Sequence, residues 1–337
     1  SVKELQGMGV RPDIIVLRCD EPLEESIFKK ISMFCNVSED CVIENRTLPN
    51  LYEAPLMLEE AHLSEVVCRE LEIDAPEPDL TEWKKLVGNI ASRDKEVTIG
   101  LVGKYVQLHD AYLSIAEALN HSGFALNAHV NIDWIDSEEL NEENYKERLK
   151  DLKGIIVPGG FGDRGIEGMI LAAQYARTNS IPYFGICLGM QIAVIEYARN
   201  VAGLTDACSG EFHDATDVKV IDFMPGQSDS IDKGGTLRLG SYPCHITAGT
   251  LMEKCYETLD INERHRHRYE FNNDYRDVLT KSGLIISGLS PDGNLVETVE
   301  VADHPFYLGV QFHPEFKSRP NRPHPIFKMF VETALEI

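Results

Sequence analysis

Residues 181–186 are a short apolar run that reads as a strand, and it leads straight into Cys187, with Gly185 two residues before the cysteine and Gly189 two residues after it. This bracket restricts the fold more than any other part of the chain. A side chain at the tip of a sharp strand-to-helix turn leaves no room for Cβ atoms beside it, so glycine is needed on both sides. The same turn places Cys187 at a helix N-terminus. There the helix dipole and the Leu188 amide favour a thiolate and can donate to a developing oxyanion. A buried cysteine in such a turn is also ordinary packing, so the cysteine alone decides nothing.

The surroundings are those of an α/β protein. From Val97–Val102, read as a fully buried strand, strands and helices alternate: a helix over 112–121, a strand over 130–135, an acidic helix over 137–152, a strand over 154–157, a helix over 167–178, the strand over 181–186 and a helix over 189–200. Alternation of this kind predicts a parallel sheet covered by helices on both faces. After Val218 the pattern turns mostly to β, with turn signals at Pro225-Gly226, Gly234-Gly235 and Asp292-Gly293. Upstream, a helix over 1–9 and a strand over 13–17 read as a start in mid-domain; a helix over 23–34, a strand near 41–43 and a helix over 55–71 follow. Two prolines and three acids at 74–79 interrupt both periodicities and mark a linker, with a short helix over 80–87 behind it. The expected division is a first domain over 1–74, a linker over 75–95 and a second domain over 96–337.

Two further motifs lie at strand ends. Gln311-Phe312-His313-Pro314-Glu315 follows the apolar run 306–310. His313 could take a thiol proton while Glu315, on the same side of an extended chain, fixes the imidazole tautomer. Pro158-Gly159-Gly160-Phe161-Gly162 follows the strand over 154–157, and its backbone N–H groups can face an oxyanion. Either motif by itself is a surface pair or a turn. In the order Gly-Gly turn, Cys, His-x-Glu, they resemble the class I glutamine amidotransferases from about Val97 to the C-terminus. The resemblance implies an open, mainly parallel, flavodoxin-like sheet with helices on both faces. It also implies Cys187 as the nucleophile forming a γ-glutamyl thioester, His313 as general base and acid, and Glu315 as its orienting partner. Gly160 and Leu188 would supply oxyanion amides, with Gly189, Met190 and Gln191 also at the glutamine site.

Within that group, Asn262-Glu263-Arg264-His265-Arg266-His267-Arg268-Tyr269-Glu270, Gly234–Gly240 and Val102-Gly103-Lys104-Tyr105 resemble the CTP synthases. By this resemblance Arg268 meets the glutamine α-carboxylate as a bidentate donor and Glu211 meets the ammonium. Cys208-Ser209-Gly210 stands before Glu211 where that family commonly has Asn-Ser-Thr. Phe161, Arg164, Glu167 and Arg238 would belong to an allosteric GTP region, since an exposed aromatic beside an arginine can stack a purine. A turn capping the next helix explains Asp163 equally well. Residues 1–74 resemble the end of the P-loop-like α/β synthetase (amidoligase) domain. Lys30 matches a lysine at the UTP/CTP site, and Arg18, Arg46, Thr47 and Leu48 match positions near the ATP site.

The family reaction is a glutamine-dependent amination of UTP to CTP in pyrimidine nucleotide synthesis, driven by ATP with Mg²⁺. A G-x-x-x-x-G-K-[ST] loop does not occur in this sequence, and Mg²⁺ ligands are not expected in it. The resemblance further implies a homotetramer, with filament assembly as an additional role. Two other readings are a free-standing amidotransferase subunit of another synthase and a non-catalytic assembly module. The first leaves residues 1–74 unexplained; the second leaves an intact Cys-His-Glu set unexplained.

Composition bounds the partners. The chain carries 55 acidic against 32 basic residues, a net charge of −23 over 337 residues, which disfavours nucleic acid and anionic membranes. The sequence contains no run approaching the ~20 apolar residues of a membrane span, and the expectation is a cytoplasmic protein. Eight cysteines at 19, 35, 41, 68, 187, 208, 244 and 255 form no C-x-x-C pair. Seven read as small buried hydrophobes in a reducing compartment. Arginines alternate with His265 and His267, so no metal site is expected there.

Overall fold

The computed structural model describes residues 1–212, 218–223 and 238–337. The turn at Pro225-Gly226 and most of the Gly234–Gly240 motif lie outside them. The chain divides into two compact units, Ser1–Ala91 and Ser92–Ile337.

The first unit runs α1 (Val2–Gly7), β1 (Ile15–Cys19), α2 (Glu25–Cys35), β2 (Val42–Arg46), α3 (Ala54–Glu60), α4 (Leu63–Glu70) and α5 (Thr81–Ala91). β1 and β2 pair in parallel, from Ile15 opposite Val42 to Cys19 opposite Arg46. The single helix expected over 55–71 is two, because His62 adopts a left-handed conformation (φ 57°) that ends α3. Trp83 on α5 donates its indole N–H to the Tyr52 carbonyl at 2.8 Å, tying that helix to the unit.

The second unit contains β3 (Lys95–Gly103), α6 (Leu113–Leu126), β4 (Ala128–Asp136), α7 (Tyr145–Leu149), β5 (Gly154–Val157), α8 (Ile166–Thr178), β6 (Tyr183–Ile186) and α9 (Leu188–Asn200). It continues with β7 (Cys208–Ser209), β8 (Lys219–Phe223), β9 (Arg238–Ile246), α10 (Leu251–Tyr256), β10 (Asp260–His267), β11 (Tyr269–Phe271), α11 (Arg276–Lys281), β12 (Leu284–Leu289), β13 (Val296–Val301), β14 (Tyr307–Val310) and α12 (Pro325–Glu336). Nine strands form one sheet in the order β10-β9-β12-β13-β14-β6-β5-β3-β4. The half from β14 to β4 is parallel, and the half from β13 to β10 is antiparallel. A small sheet β11-β8-β7 stands apart.

Within the parallel half β14, β6 and β5 are buried along their whole length, as their unbroken apolar sequences require, while the edge strand β4 is mostly half-buried. Along β5, Ile155 and Val157 enter the core shared with α8 and α9, while Ile156 enters the core shared with α6 and α12. The long acidic helix expected over 137–152 is absent. A 3-10 turn at Ser137–Glu139 and the short α7 stand in its place. Asn141 and Asn144 bond to backbone N–H groups between them, at 2.9–3.2 Å, and asparagine side chains that satisfy the backbone this way compete with helix.

All eight cysteines are free thiols. Cys41, Cys187, Cys208, Cys244 and Cys255 are buried, but Cys19, Cys35 and Cys68 are half-buried, contrary to expectation. The first two end β1 and α2 and the third lies on α4, in a unit whose sheet has two strands and covers little.

Candidate functional site

The strand order β14-β6-β5 sets three loops side by side at one edge of the sheet, roughly 5 Å apart as neighbouring strands are. The loop after β6 carries Cys187, the loop after β5 carries Gly159 to Gly162, and the loop after β14 carries His313 and Glu315. Ligands gather at the carboxyl ends of strands in open α/β sheets, and all three motifs fall there.

The elbow is strained as the sequence demands. Cys187 sits at φ 54°, ψ −101°, directly before α9, a sparsely populated conformation for a residue with a side chain. A Cβ on Gly185 would lie 2.4 Å from the Gly189 carbonyl oxygen, and one on Gly189 would lie 2.0 Å from that of Val157. Leu188 is the first residue of α9, where an N–H has no intrahelical acceptor. Behind the cysteine, its own N–H donates to the Val310 carbonyl at 2.7 Å, locking elbow to β14.

His313 and Glu315 meet, but not on an extended chain. A 3-10 turn over Pro314–Lys317 folds Glu315 back so that Oε1 lies 2.8 Å from His313 Nδ1. The carboxylate fixes the N–H on Nδ1 and leaves Nε2 for the sulfur. Burial opposes charge on this ring, yet the charge of Cys187, its hydrogen bond and the Glu315 carboxylate together raise the His313 pKa to about 10. The arrangement favours an imidazolium at His313, set against the Cys187 sulfur. Cys187, His313 and Glu315 open with Gly159, Gly160, Phe161, Tyr105 and Arg266 onto a cavity of about 290 Å³.

The remaining expected residues are distributed unevenly. Glu211 accepts the Gly162 N–H at 2.8 Å, and burial raises its pKa against the opposing charges of Lys104 and Arg268. Glu211 and Arg268 therefore share a field beside the Gly-Gly loop, although neither lines the cavity. Met190 packs on Gly309 of β14, and Gln191 donates to the Tyr269 carbonyl and to Gln311, so both side chains point into the protein rather than the cavity. Phe161 is 53% exposed. Arg164 pairs with Glu138 at 2.9 Å and stands over Tyr105, and Glu167 pairs with Arg199 at 2.9 Å.

Arg238 departs from expectation: it is buried and binds Glu297 at 2.6 Å, so it has no exposed face on which to stack a base. It stands across the β9–β10 ladder from His267. His265, His267 and Glu297 place ligand atoms within 4.8 Å of one another, and Arg238 already supplies the positive charge in that cluster. In the first unit, Lys30 is exposed on α2, while Arg18, Arg46, Thr47 and Leu48 lie at the carboxyl ends of the two parallel strands or just beyond. Thr47 there bonds Asp20 at 2.5 Å.

Two residues matter more than their sequence signal. Lys104, buried at the end of β3, donates its ammonium to the Phe161 carbonyl at 3.0 Å and to that of Gly162, clamping the Gly-Gly loop. Burial lowers its pKa to about 8. Gln311 reaches Cys187 itself. The motifs that contain both residues are visible in the sequence, but the direction in which each side chain points is not.

The sequence profile described as "Glutamine amidotransferase class-I" matches residues 107–333, and that described as "CTP synthase N-terminus" matches residues 1–73. A solved structure titled as the Trypanosoma brucei CTPS glutaminase domain with bound acivicin superposes with a TM-score of 0.67 at 42% identity, over 71% of this chain and 94% of that one. The chain belongs to the class-I glutamine amidotransferases, in the CTP synthase family. Among curated members of the family, the CTP synthase of Clostridium acetobutylicum is 57% identical over 100% of this chain, and that of Ruminiclostridium cellulolyticum is 55% identical over 100% of it. The chain spans 63% of the length of each of these two relatives. Among the described residues no helix is long and apolar enough to cross a membrane.

Proposed function

We propose that this chain carries the glutaminase half of a CTP synthase and the end of its synthetase domain, divided as 1–74, a linker over 75–95, and 96–337. The observation that supports it best is the meeting of Cys187, at the end of β6, with His313 and Glu315, at the end of the adjacent β14, beside the Gly159-Gly160 turn that follows β5. Cys187 Sγ attacks the γ-carboxamide carbon of glutamine, and the oxyanion points to the amides of Gly160 and Leu188. His313 gives its proton to the departing ammonia as the C–N bond breaks, leaving a γ-glutamyl thioester. A water then loses a proton to His313 and attacks the thioester, releasing glutamate and restoring the thiol. Arg268 and Glu211 hold the α-carboxylate and ammonium.

The ammonia replaces the 4-oxygen of UTP after ATP has phosphorylated it, with Mg²⁺ on the phosphates. In this chain Lys30 would touch the pyrimidine nucleotide and Arg18, Arg46, Thr47 and Leu48 the ATP. GTP would act through Phe161, Arg164 and Glu167. We further place the protein in the cytoplasm as a homotetramer that can assemble into filaments.

The test follows glutamate and CTP together in a mixture of glutamine, UTP, ATP, Mg²⁺ and GTP. Glutamate without CTP is the expected result for this chain alone. No glutamate under any condition would overturn the glutaminase assignment.

A further inference from the structure

Gln311 is fully buried, Gln191 is 3% exposed, and the two side chains form a chain that ends on the nucleophile. Gln191 Nε2 lies 3.1 Å from the Tyr269 carbonyl and 3.3 Å from Gln311 Oε1. Gln311 Nε2 lies 3.6 Å from Cys187 Sγ. The two ends of a carboxamide are chemically distinct, one donating and one accepting, so the order of partners fixes both side chains. The Tyr269 carbonyl can only accept, so Gln191 must present its NH₂ there. The same NH₂ reaches Gln311, which must therefore answer with its oxygen. That leaves the Gln311 NH₂ facing sulfur.

We propose that Gln311 is a catalytic residue that donates an N–H to the Cys187 thiolate, and that Gln191 is the positioning residue that prevents its amide from flipping. The proposal rests on the glutaminase reading of the same site. A buried N–H aimed at sulfur favours the anion over the thiol, because hydrogen bonds to charged acceptors are the stronger ones. The thiolate thus receives two donors from different directions, His313 from the cavity side and Gln311 from within the sheet. Once the C–S bond forms, the sulfur no longer carries charge and this contact weakens. Gln311 therefore acts on the free enzyme and on thiolate release, and leaves glutamine binding to other groups.

The experiment measures alkylation of Cys187 by iodoacetamide across pH, which needs no glutamine, beside glutamate release. Gln311→Met keeps the volume and removes the donor. It is expected to slow alkylation at neutral pH by ~10- to 100-fold, from the weight of a hydrogen bond to a charged group. It should also move the midpoint of the alkylation profile upward and lower kcat with KM changed less than about threefold. Gln191→Glu leaves Gln311 in place but removes the donor to Gln311 Oε1, so the Gln311 amide turns its oxygen to sulfur. It should reproduce most of the same loss, and adding it to Gln311→Met should add little.

Equal alkylation rates and midpoints in the parent and both variants would overturn the proposal. If the variants do not fold, the parent decides: the Gln311 side-chain NH₂ resonances should shift when Cys187 is alkylated, and unmoved resonances would contradict the contact. A parent that alkylates as expected but releases no glutamate would sink the glutaminase reading while leaving this contact standing.

Discussion

His313, which lines the cavity, and the buried pair His265 and His267 on the adjoining β10 are neighbours, yet their rings are driven in opposite directions. Against His313 stand the sulfur of Cys187 and the carboxylate of Glu315, which raise its pKa to about 10 in spite of burial. Burial and then the Arg238 guanidinium lower His265 to about 2 and His267 to about 3. His267 donates Nδ1–H to the Tyr269 carbonyl at 3.1 Å, so its Nε2 is an acceptor for His265 Nδ1 at the same distance. Burial acts alike on all three rings, so the sign of the nearest charge decides the outcome. One region is built to hold an imidazolium against an anion; the other holds neutral rings beneath an arginine–glutamate pair. The two regions meet where the His313 N–H donates to the Arg264 carbonyl at 2.8 Å and the His265 ring packs edge-on against Phe312, and the Tyr269 carbonyl accepts from both His267 and Gln191.

The largest effect should come from removing the anion. Cys187→Ala is expected to lower glutamate release by at least ~10³-fold, with a melting temperature within a few degrees of the parent, since one small side chain is lost. A large drop in melting temperature would mean that the elbow cysteine is chiefly packing. Glu315→Gln keeps an oxygen for the Nδ1 proton but removes the charge. Glutamate release should fall by ~10²- to 10⁴-fold, and the His313 midpoint should move toward the ordinary range near 6.5. An unchanged midpoint would show that Glu315 holds the ring without charging it.

In the second region Arg238→Met strips the cation and leaves Glu297 buried and unpaired, for an expected loss of ~3–5 kcal/mol in urea unfolding. A near-neutral result would show the pair to be replaceable. The smallest effect concerns Glu270, whose pKa burial and Glu297 raise to about 7. A carboxyl raised above its unfolded value of about 4.5 contributes stability that is complete below that value and disappears as pH rises through the folded one. The melting-temperature advantage of Glu270→Gln over the parent should therefore grow by a few degrees between pH 5 and pH 8. A constant difference would contradict a protonated Glu270.

The centre of the parallel half is readable because β5 and β6 are short apolar runs and their turns carry glycines that sterics demand, so β5 appears at its expected bounds and β6 and α9 within two residues of theirs. The elbow at Cys187 follows from Gly185 and Gly189 alone. The antiparallel half was less readable. Glu263, His265 and His267 alternate with Asn262, Arg264 and Arg266 along β10, and a polar strand of this kind does not announce which face is buried. Its buried face is the one that meets Glu297 on β13 and Arg238 on β9, whose opposite charges pair beside His265. The helix expected over 137–152 failed because Asn141 and Asn144 cap their own backbone, and His62 breaks a helix that the apolar pattern carries straight through.

The most direct test of the account is a ¹⁵N NMR titration of the histidine rings in the intact chain. The account predicts that His313 stays an imidazolium from pH 6 to beyond pH 9 and becomes neutral near 10, while His265 and His267 remain neutral down to pH 5. A His313 ring that titrates near 6.5, or buried rings that charge together with it, would contradict the claim that neighbouring charge sets the two regions apart.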